Sequence, residues 1–280
     1  MGDTLRAVIL GIIEGLTEFL PVSSTGHMIV AMPWLGIDGE AAPWPTFLYF
    51  IQTGAILAVV IYFFRPLIAA CLTKPANGWR SHLISKLIIA MIPAAAIGIP
   101  LNDVAEAYLE KPVPVAAALI VGGVVMVLIE RRYRRTTGPH VNDITIRQAF
   151  LVGLAQCVAI IPGTSRSMAT IMGGLMVGMT GSVAAQFSFY LAIPTLLGAG
   201  ILRIFKHRDA LTGEHAQVMM IGFGVSFVVA LAVVAAFMRY IQTKPLWPFA
   251  IYRMALGAAV LAWFFLRAAN SAGQTALAGL

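Results

Sequence analysis

Six apolar stretches of roughly 20 residues constrain the fold of this chain more than any other feature of its sequence. They lie at about 45–64, 82–101, 113–130, 183–204, 215–239 and 249–267. A helix of this length crosses the hydrocarbon of a bilayer and pairs its own backbone groups where water is absent. Charged residues make up only 11% of the chain, whereas soluble domains have about 25%. The sequence therefore predicts an all-α polytopic membrane protein with six transmembrane helices, in one integral membrane domain over residues 1–280.

The charge balance is basic, with 19 Lys and Arg against 12 Asp and Glu. In a membrane protein this excess indicates basic cytoplasmic loops that contact anionic headgroups. No basic soluble segment is large enough to bind nucleic acid, so we expect membrane lipids and no nucleic acid as partners. The two cysteines, Cys71 and Cys157, predict neither a disulfide framework nor a metal site. No signal-peptide pattern precedes the first apolar stretch, which we therefore expect to belong to the folded protein.

The first 35 residues carry a different pattern, an interrupted helix. Residues 4–20 form an amphipathic helix that ends at Pro21, and residues 26–35 form a second, short apolar piece. Neither piece is a full span. Irregular backbone at membrane depth is tolerated where protein or a water-filled cavity covers it, so a re-entrant helix-loop-helix hairpin fits this segment.

The second half of the chain resembles the first. The segment GLAQCVAIIPGTSRSMATI (153–171) aligns with GIIEGLTEFLPVSSTGHMIV (11–30), and FSFYLAIPTLLG (187–198) aligns with FLYFIQTGAILA (47–58). Such matches indicate an internal duplication, which is common in transporter-like membrane folds. We predict repeat 1 at about 1–130 and repeat 2 at about 144–267, each with three spans and one re-entrant hairpin.

Three spans per repeat place the two repeats in opposite orientations, so the two hairpins enter from opposite faces and can meet near the midplane. Lys and Arg are more numerous on the side that holds residues 65–86, 131–147 and 239–244. The positive-inside rule then places both termini outside the cytoplasm.

Glu14 and Glu18 stand out because ionisable groups inside membrane segments are costly and usually functional. Four residues apart, they lie on one face of a helix and repel unless a proton or a cation is held between them. A divalent cation held by oxygen ligands from both carboxylates is one solution, and a shared proton is another. A structural pair that is hydrogen-bonded to Ser, Thr or Arg is the third interpretation.

The loop after these acids carries Ser23, Ser24, Thr25 and His27. Ser24 is a candidate nucleophile activated by His27, or only a helix cap. His27 is a candidate acid, base or ligand, or a satisfied core histidine.

The second hairpin reads PGTSRSMAT over residues 162–170. Pro162 and Gly163 end one helix, Thr164 and Ser165 can cap the next, and Arg166 lies in its first turn. Backbone N–H groups at a helix start bind anions, and a guanidinium fork matches phosphate oxygens. The alternative for Arg166 is a side chain that reaches to lipid headgroups. Arg253 is expected to be an interface anchor.

Together the hairpins suit phosphoryl transfer to or from an amphiphile with a phosphorylated headgroup. The candidate catalytic residues are Glu14, Glu18, Ser24, His27 and Arg166, and the candidate metal ligands are Glu14 and Glu18. The candidate substrate-binding residues are Ser23, Thr25, Gly163, Thr164, Ser165, Arg166, Ser167 and Thr170. A transporter or flippase for a prenyl phosphate lipid is the alternative that the inverted repeat suggests.

At these residues the chain resembles the undecaprenyl-diphosphate phosphatases, bacterial enzymes also called bacitracin-resistance proteins. The segments EGLTEFLPVSSTGH (14–27) and PGTSRSMAT (162–170) carry the resemblance. It implies dephosphorylation of undecaprenyl diphosphate to the lipid carrier of cell-wall synthesis, bacitracin resistance on overproduction, and a divalent cation such as Mg or Ca. It also implies a location in the bacterial inner membrane with a site open to the outer, periplasmic face. The sequence leaves open whether Ser24, His27 or water is the nucleophile, and it does not define the oligomeric state.

Overall fold

The computed structural model describes residues 2–72, 78–109, 111–206 and 215–278. Within these ranges the regular structure is helical and contains no β-strand, which confirms the predicted all-α class. The α-helices are α1 (Asp3–Thr17), α2 (Ser24–Trp34), α3 (Trp44–Tyr62), α4 (Phe64–Leu72), α5 (Leu83–Leu109), α6 (Pro112–Tyr133), α7 (Ile146–Gln156), α8 (Arg166–Met176), α9 (Gly181–Lys206), α10 (His215–Tyr240) and α11 (Trp247–Ala278). Short 3-10 turns occupy Gly78–Ser81, Val141–Asp143 and Cys157–Ile160.

Five helices in the described part of the chain are long and apolar enough to cross a membrane. They are α3, α6, α10 and the apolar portions Gly181–Gly198 of α9 and Trp247–Leu266 of α11. These five agree with five of the six predicted spans. The apolar portion of α5, Leu83–Gly98, is shorter, so the sixth span stays a prediction.

Two segments between the predicted spans are partly helical. After the stretch at 82–101, α5 continues through Leu109, with Pro93 and Pro100 inside it. Proline is tolerated in membrane helices where neighbouring groups pair the freed carbonyls, and the Ala, Glu and Leu residues after Pro100 favour helix. The segment 65–81, before that stretch, contains most of α4.

Glycines allow α1 to lie directly against the backbone of α10. A Cβ atom at Gly11 would lie 2.8 Å from the carbonyl oxygen of Gly222, and one at Gly15 would lie 2.8 Å from that of Ser226. Small residues four apart allow close helix approach in membranes. Gly153 of α7 faces the Ala90 carbonyl of α5 in the same way.

A buried aromatic group lies beneath the loop between α1 and α2. Phe19, which is fully buried, packs edge-on against Phe189 of α9, with the ring centroids 5.3 Å apart. Phe189 also contacts Phe63 and Phe237. Aromatic pairs of this geometry contribute about 0.5–1.5 kcal/mol beyond their buried area. They fix the loop that follows Glu18.

Candidate active site

Glu14 and Glu18 occupy the end of α1. Both side chains are buried, and the Glu18 N–H donates to the Glu14 carbonyl at 2.9 Å. The two carboxylates therefore lie one helical turn apart, as their spacing predicts. The chain then leaves the helix before Pro21, where the sequence predicts a break.

Both helix breaks end in a serine with a positive φ angle. Ser23 (φ 72°) precedes α2 and its hydroxyl accepts from the N–H of Gly26 at 3.3 Å. Ser165 (φ 73°) precedes α8 and its hydroxyl accepts from the N–H of Met168 at 3.2 Å. Non-glycine residues rarely adopt this conformation, and it persists only where the surroundings impose it. The two caps direct the next residue of each helix, Ser24 and Arg166, inward.

The Glu18 carboxylate joins the two hairpins. Its Oε2 accepts a 2.6 Å hydrogen bond from the Ser24 hydroxyl, and its Oε1 lies 3.4 Å from Nη2 of Arg166. Arg166 also donates through Nη1 to the Ser188 carbonyl at 3.3 Å. These contacts bring Glu18, Ser24 and Arg166 together across 148 positions of sequence.

Arg166 retains unused hydrogen-bonding capacity. Its Nε is buried and has no hydrogen-bond partner among the residues that the structure describes, although a buried unpaired donor costs about 1–3 kcal/mol. The guanidinium lies 5.8 Å from the Phe19 ring centroid, so a cation–π contact replaces part of its lost hydration. An oxyanion would satisfy the free donor.

His27 is hydrogen-bonded to Ser23 and Tyr252, and not to Ser24 as the candidate role of an activating base would require. Its Nδ1 is 2.6 Å from the Ser23 carbonyl, and its Nε2 is 2.7 Å from the hydroxyl of Tyr252. Because a carbonyl only accepts, Nδ1 carries the proton, and Nε2 of the neutral ring accepts from Tyr252. The base next to Ser24 in this structure is Glu18.

The remaining candidates fall into two groups. Thr25 lines the cavity described below. Ser167 and Thr170 are fully buried and use their hydroxyls internally. Ser167 donates to the Phe19 carbonyl at 2.7 Å, and Thr170 lies 2.6 Å from the Ser188 hydroxyl. These two side chains position α8 against its neighbours.

Gly163 and Thr164 contribute mainly backbone. Gly163 has a φ of 93°, and a Cβ there would lie 2.5 Å from the Val115 carbonyl. Thr164 is buried, and its N–H donates to the Ile161 carbonyl at 3.1 Å. The tight turn before Arg166 therefore lies directly against α6.

Arg253 is not an interface anchor, and the sequence reasoning was wrong here. Its side chain is completely buried. Its Nη1 donates to the carbonyl of Pro21 at 3.4 Å, and its Nη2 donates to that of Gly163 at 2.8 Å. It therefore links the two helix breaks directly. The only sequence signal for this role was a lone charge inside an apolar stretch, because an ionisable residue in a membrane segment is usually functional.

A cavity of about 790 Å³ lies beside Ser24. Its lining combines polar residues with an apolar wall: the polar residues include Glu14, Ser24, Thr25, Glu40 and Gln52, and the apolar ones include Met28, Met32 and Leu48. Such a lining suits an amphiphile whose headgroup reaches Ser24.

The donor set fits a hard divalent cation. Magnesium is commonly held by one or two carboxylates together with substrate phosphates, and Glu14 lines the cavity while Glu18 lies one turn away. No group of three or more His, Cys, Asp or Glu that could bind a metal occurs in the described residues. A cation here would therefore need oxygen ligands from substrate or water.

Comparison with known proteins places this chain among close relatives. A model of the family described as "Bacitracin resistance protein BacA" matches residues 7–259. A protein of Novosphingobium aromaticivorans named undecaprenyl-diphosphatase is 44% identical, over 95% of this chain and 100% of its own length. A protein of the same name from Ectopseudomonas mendocina is 44% identical, over 92% of each chain. Another, from Pseudomonas aeruginosa, is 43% identical, over 93% of this chain and 94% of its own length. The chain belongs to the bacitracin resistance protein BacA family.

Proposed function

We propose that this protein hydrolyses undecaprenyl diphosphate to undecaprenyl phosphate and inorganic phosphate, which recycles the lipid carrier for peptidoglycan synthesis. The names of its relatives support this substrate. The observation that carries the proposal is Glu18, which accepts from the Ser24 hydroxyl while it contacts Arg166. A nucleophile that lines an amphiphile-sized cavity is thus joined to its base, and the base contacts an anion-binding guanidinium.

In the proposed first step, the Ser24 oxygen attacks the terminal phosphorus. The hydroxyl proton passes to Glu18, the bond from phosphorus to the bridging oxygen breaks, and undecaprenyl phosphate leaves with the electron pair. Glu18 passes this proton to the departing phosphate group. Water then attacks the phosphorus of the phosphoserine and gives a proton to Glu18. The bond from phosphorus to the Ser24 oxygen breaks, Glu18 returns the proton to that oxygen, and inorganic phosphate leaves. Arg166, with its unpaired Nε, stabilises the charge on the transferred phosphoryl group.

We further propose that Glu14 and Glu18 hold a magnesium or calcium ion when substrate is bound. Such an ion supplies Lewis-acid neutralisation of the phosphate charge. Its binding would also relieve the repulsion between the two buried carboxylates.

We place the protein in the bacterial inner membrane with its site open to the periplasmic face. The 15 residues of α1 and the 11 of α2 are each too few to cross a bilayer, which supports a re-entrant hairpin. The matched positive φ angles of Ser23 and Ser165 support an inverted duplication.

The decisive experiment is phosphate release from undecaprenyl diphosphate by the purified full chain in detergent, with and without a chelator. We expect release that stops on chelation and resumes with added magnesium or calcium. Release that continues in the presence of the chelator would refute the proposed cation and leave the proposed phosphatase activity standing. No release from folded protein would favour lipid transport instead.

Variants test the individual roles. Ser24→Ala should lose at least 100-fold in turnover, whereas Ser182→Ala, a half-buried serine in the first turn of α9, should not. A second test uses substrate labelled in its terminal phosphate. When the reaction is quenched with acid during turnover, label should remain on the wild-type protein. Full turnover by Ser24→Ala would show that water attacks directly. Full turnover by Glu18→Ala or Arg166→Ala would refute the assignment.

A further inference from the structure

A second cavity of about 570 Å³ lies where α6 ends and α11 begins. Val127 and Arg134 mark its extent along the end of α6, and Trp247 is the first residue of α11. The first cavity touches Pro112, the opposite end of α6. Arg131 lies nineteen residue steps after Pro112, which corresponds to about 28 Å at 1.5 Å per residue. The second cavity therefore lies at the opposite end of a helix that is long and apolar enough to cross a membrane.

Two guanidinium groups line this cavity without an acidic partner. Arg131 and Arg134 are both exposed and belong to no ion pair among the described residues. Arg134 donates through Nη2 to the Thr243 carbonyl at 3.2 Å, which holds it on the wall.

The acid in the cavity is already engaged. Glu130 is buried, and its Oε1 accepts from the Leu246 N–H at 2.6 Å, at the start of α11. A carboxylate at a helix N-terminus interacts favourably with the helix dipole. Glu130 therefore fixes the junction of the two helices and leaves the arginine pair with net positive charge.

The outer wall of the cavity is apolar and uncovered. Trp247 and Ile251, one turn apart on α11, expose 50% and 51% of their surface. Both lie in a helix that is apolar enough to cross a membrane. Tryptophan at the end of such a helix is typical of the headgroup level of a bilayer.

We propose that this cavity binds the headgroup of an anionic phospholipid. The phosphate contacts Arg131 and Arg134, and the acyl chains run along Trp247 and Ile251 into the bilayer. Guanidinium forks match phosphate oxygens, and basic pockets beside transmembrane helices bind anionic headgroups. This lipid is distinct from the substrate, which enters at the other face.

The test is native mass spectrometry of the full chain, with phosphatidylglycerol or phosphatidylcholine added to the detergent. We expect wild-type protein to retain phosphatidylglycerol over phosphatidylcholine. The double variant R131Q/R134Q should retain at least fivefold less phosphatidylglycerol. The matched control R132Q/R147Q, which removes two exposed charges of the same region outside the cavity, should stay within twofold of wild type.

Equal losses in the two double variants would show diffuse surface attraction and overturn the site, as would equal retention of the two lipids. Inorganic phosphate that displaces phosphatidylglycerol at millimolar concentration would assign the cavity to a soluble anion instead. Size-exclusion elution and circular dichroism establish that each variant is folded.

Fluorescence in nanodiscs provides a second measurement that needs no charge change. Brominated phosphatidylglycerol should quench wild-type protein more than the variant Trp247→Phe, and brominated phosphatidylcholine should show a smaller difference. No difference between the two proteins would place the lipid elsewhere.

Discussion

Replacement of Arg253 by methionine should disconnect the two helix breaks. The guanidinium makes four hydrogen bonds to carbonyls: Nε to Leu119 at 3.0 Å, Nη1 to Pro21 at 3.4 Å, and Nη2 to Ala118 at 3.3 Å and Gly163 at 2.8 Å. The carbonyls of Ala118 and Leu119 lie in α6 and also serve its helical ladder. The carbonyls of Pro21 and Gly163 lie in turns and would lose a partner.

An unsatisfied buried carbonyl costs about 1–3 kcal/mol, so two would cost roughly 2–6 kcal/mol. Removal of a buried charge recovers part of this, which leaves roughly 2–4 kcal/mol. For domains of 150–250 residues, 1 kcal/mol shifts Tm by about 2–4 °C. We therefore expect Tm to fall by about 5–15 °C, and phosphate release to fall with it because Arg166 and Ser24 no longer hold their relative positions.

Thermal melting of the full chain in detergent measures the change in Tm. An assay of phosphate release at a temperature below the melting range measures the change in activity. Arg6→Met is the matched control, since Arg6 also donates to carbonyls, those of Leu35 and Gly36, but is partly exposed. Water can replace its bonds, so its Tm should change by less than about 3 °C. Equal changes for Arg6→Met and Arg253→Met, or no change for Arg253→Met, would refute the reasoning.

Three further variants probe the same region. Gly163→Ala should lower Tm, because the φ of Gly163 is 93° and the new Cβ would meet a carbonyl. The control Gly198→Ala places its Cβ in open space and should leave Tm unchanged or higher. Equal Tm values for the two variants would contradict this. Tyr252→Phe should free Nε2 of His27, so the ¹⁵N shifts of that ring should change in NMR; unchanged shifts would show that the hydrogen bond does not hold in solution. Glu14→Gln should raise the magnesium concentration needed for half-maximal phosphate release at least tenfold, and an unchanged requirement would remove Glu14 from the cation site.

Local sequence chemistry predicts the parts of the site that lie within one helix or one turn. The breaks at Pro21 and Gly163, the capping role of Ser165 and the stacked positions of Glu14 and Glu18 all follow from spacing and backbone preference. Helix periodicity extends over a few residues, and each of these features lies within that range.

The pairings between distant segments could not be predicted in the same way. His27 is three residues from Ser24, yet Ser24 bonds to Glu18 and His27 bonds to Tyr252, 225 positions away. The partners of Arg253 lie 90 to 232 positions away. The contacts of Tyr252 and Arg253 depend on how α11 packs against α6, where Gly122, Gly123 and Gly257 allow close approach of the two helices.

The contact between Glu18 and Arg166 gives the site an internal competitor. The Glu18 carboxylate occupies one side of the Arg166 guanidinium, with Oε1 3.4 Å from Nη2. An arriving anion must displace or share that carboxylate, so ligands are ranked by the charge that they deliver to Arg166. A diphosphate delivers more negative charge than the monophosphate that remains after hydrolysis. The resting ion pair thereby favours uptake of the substrate and release of the lipid product.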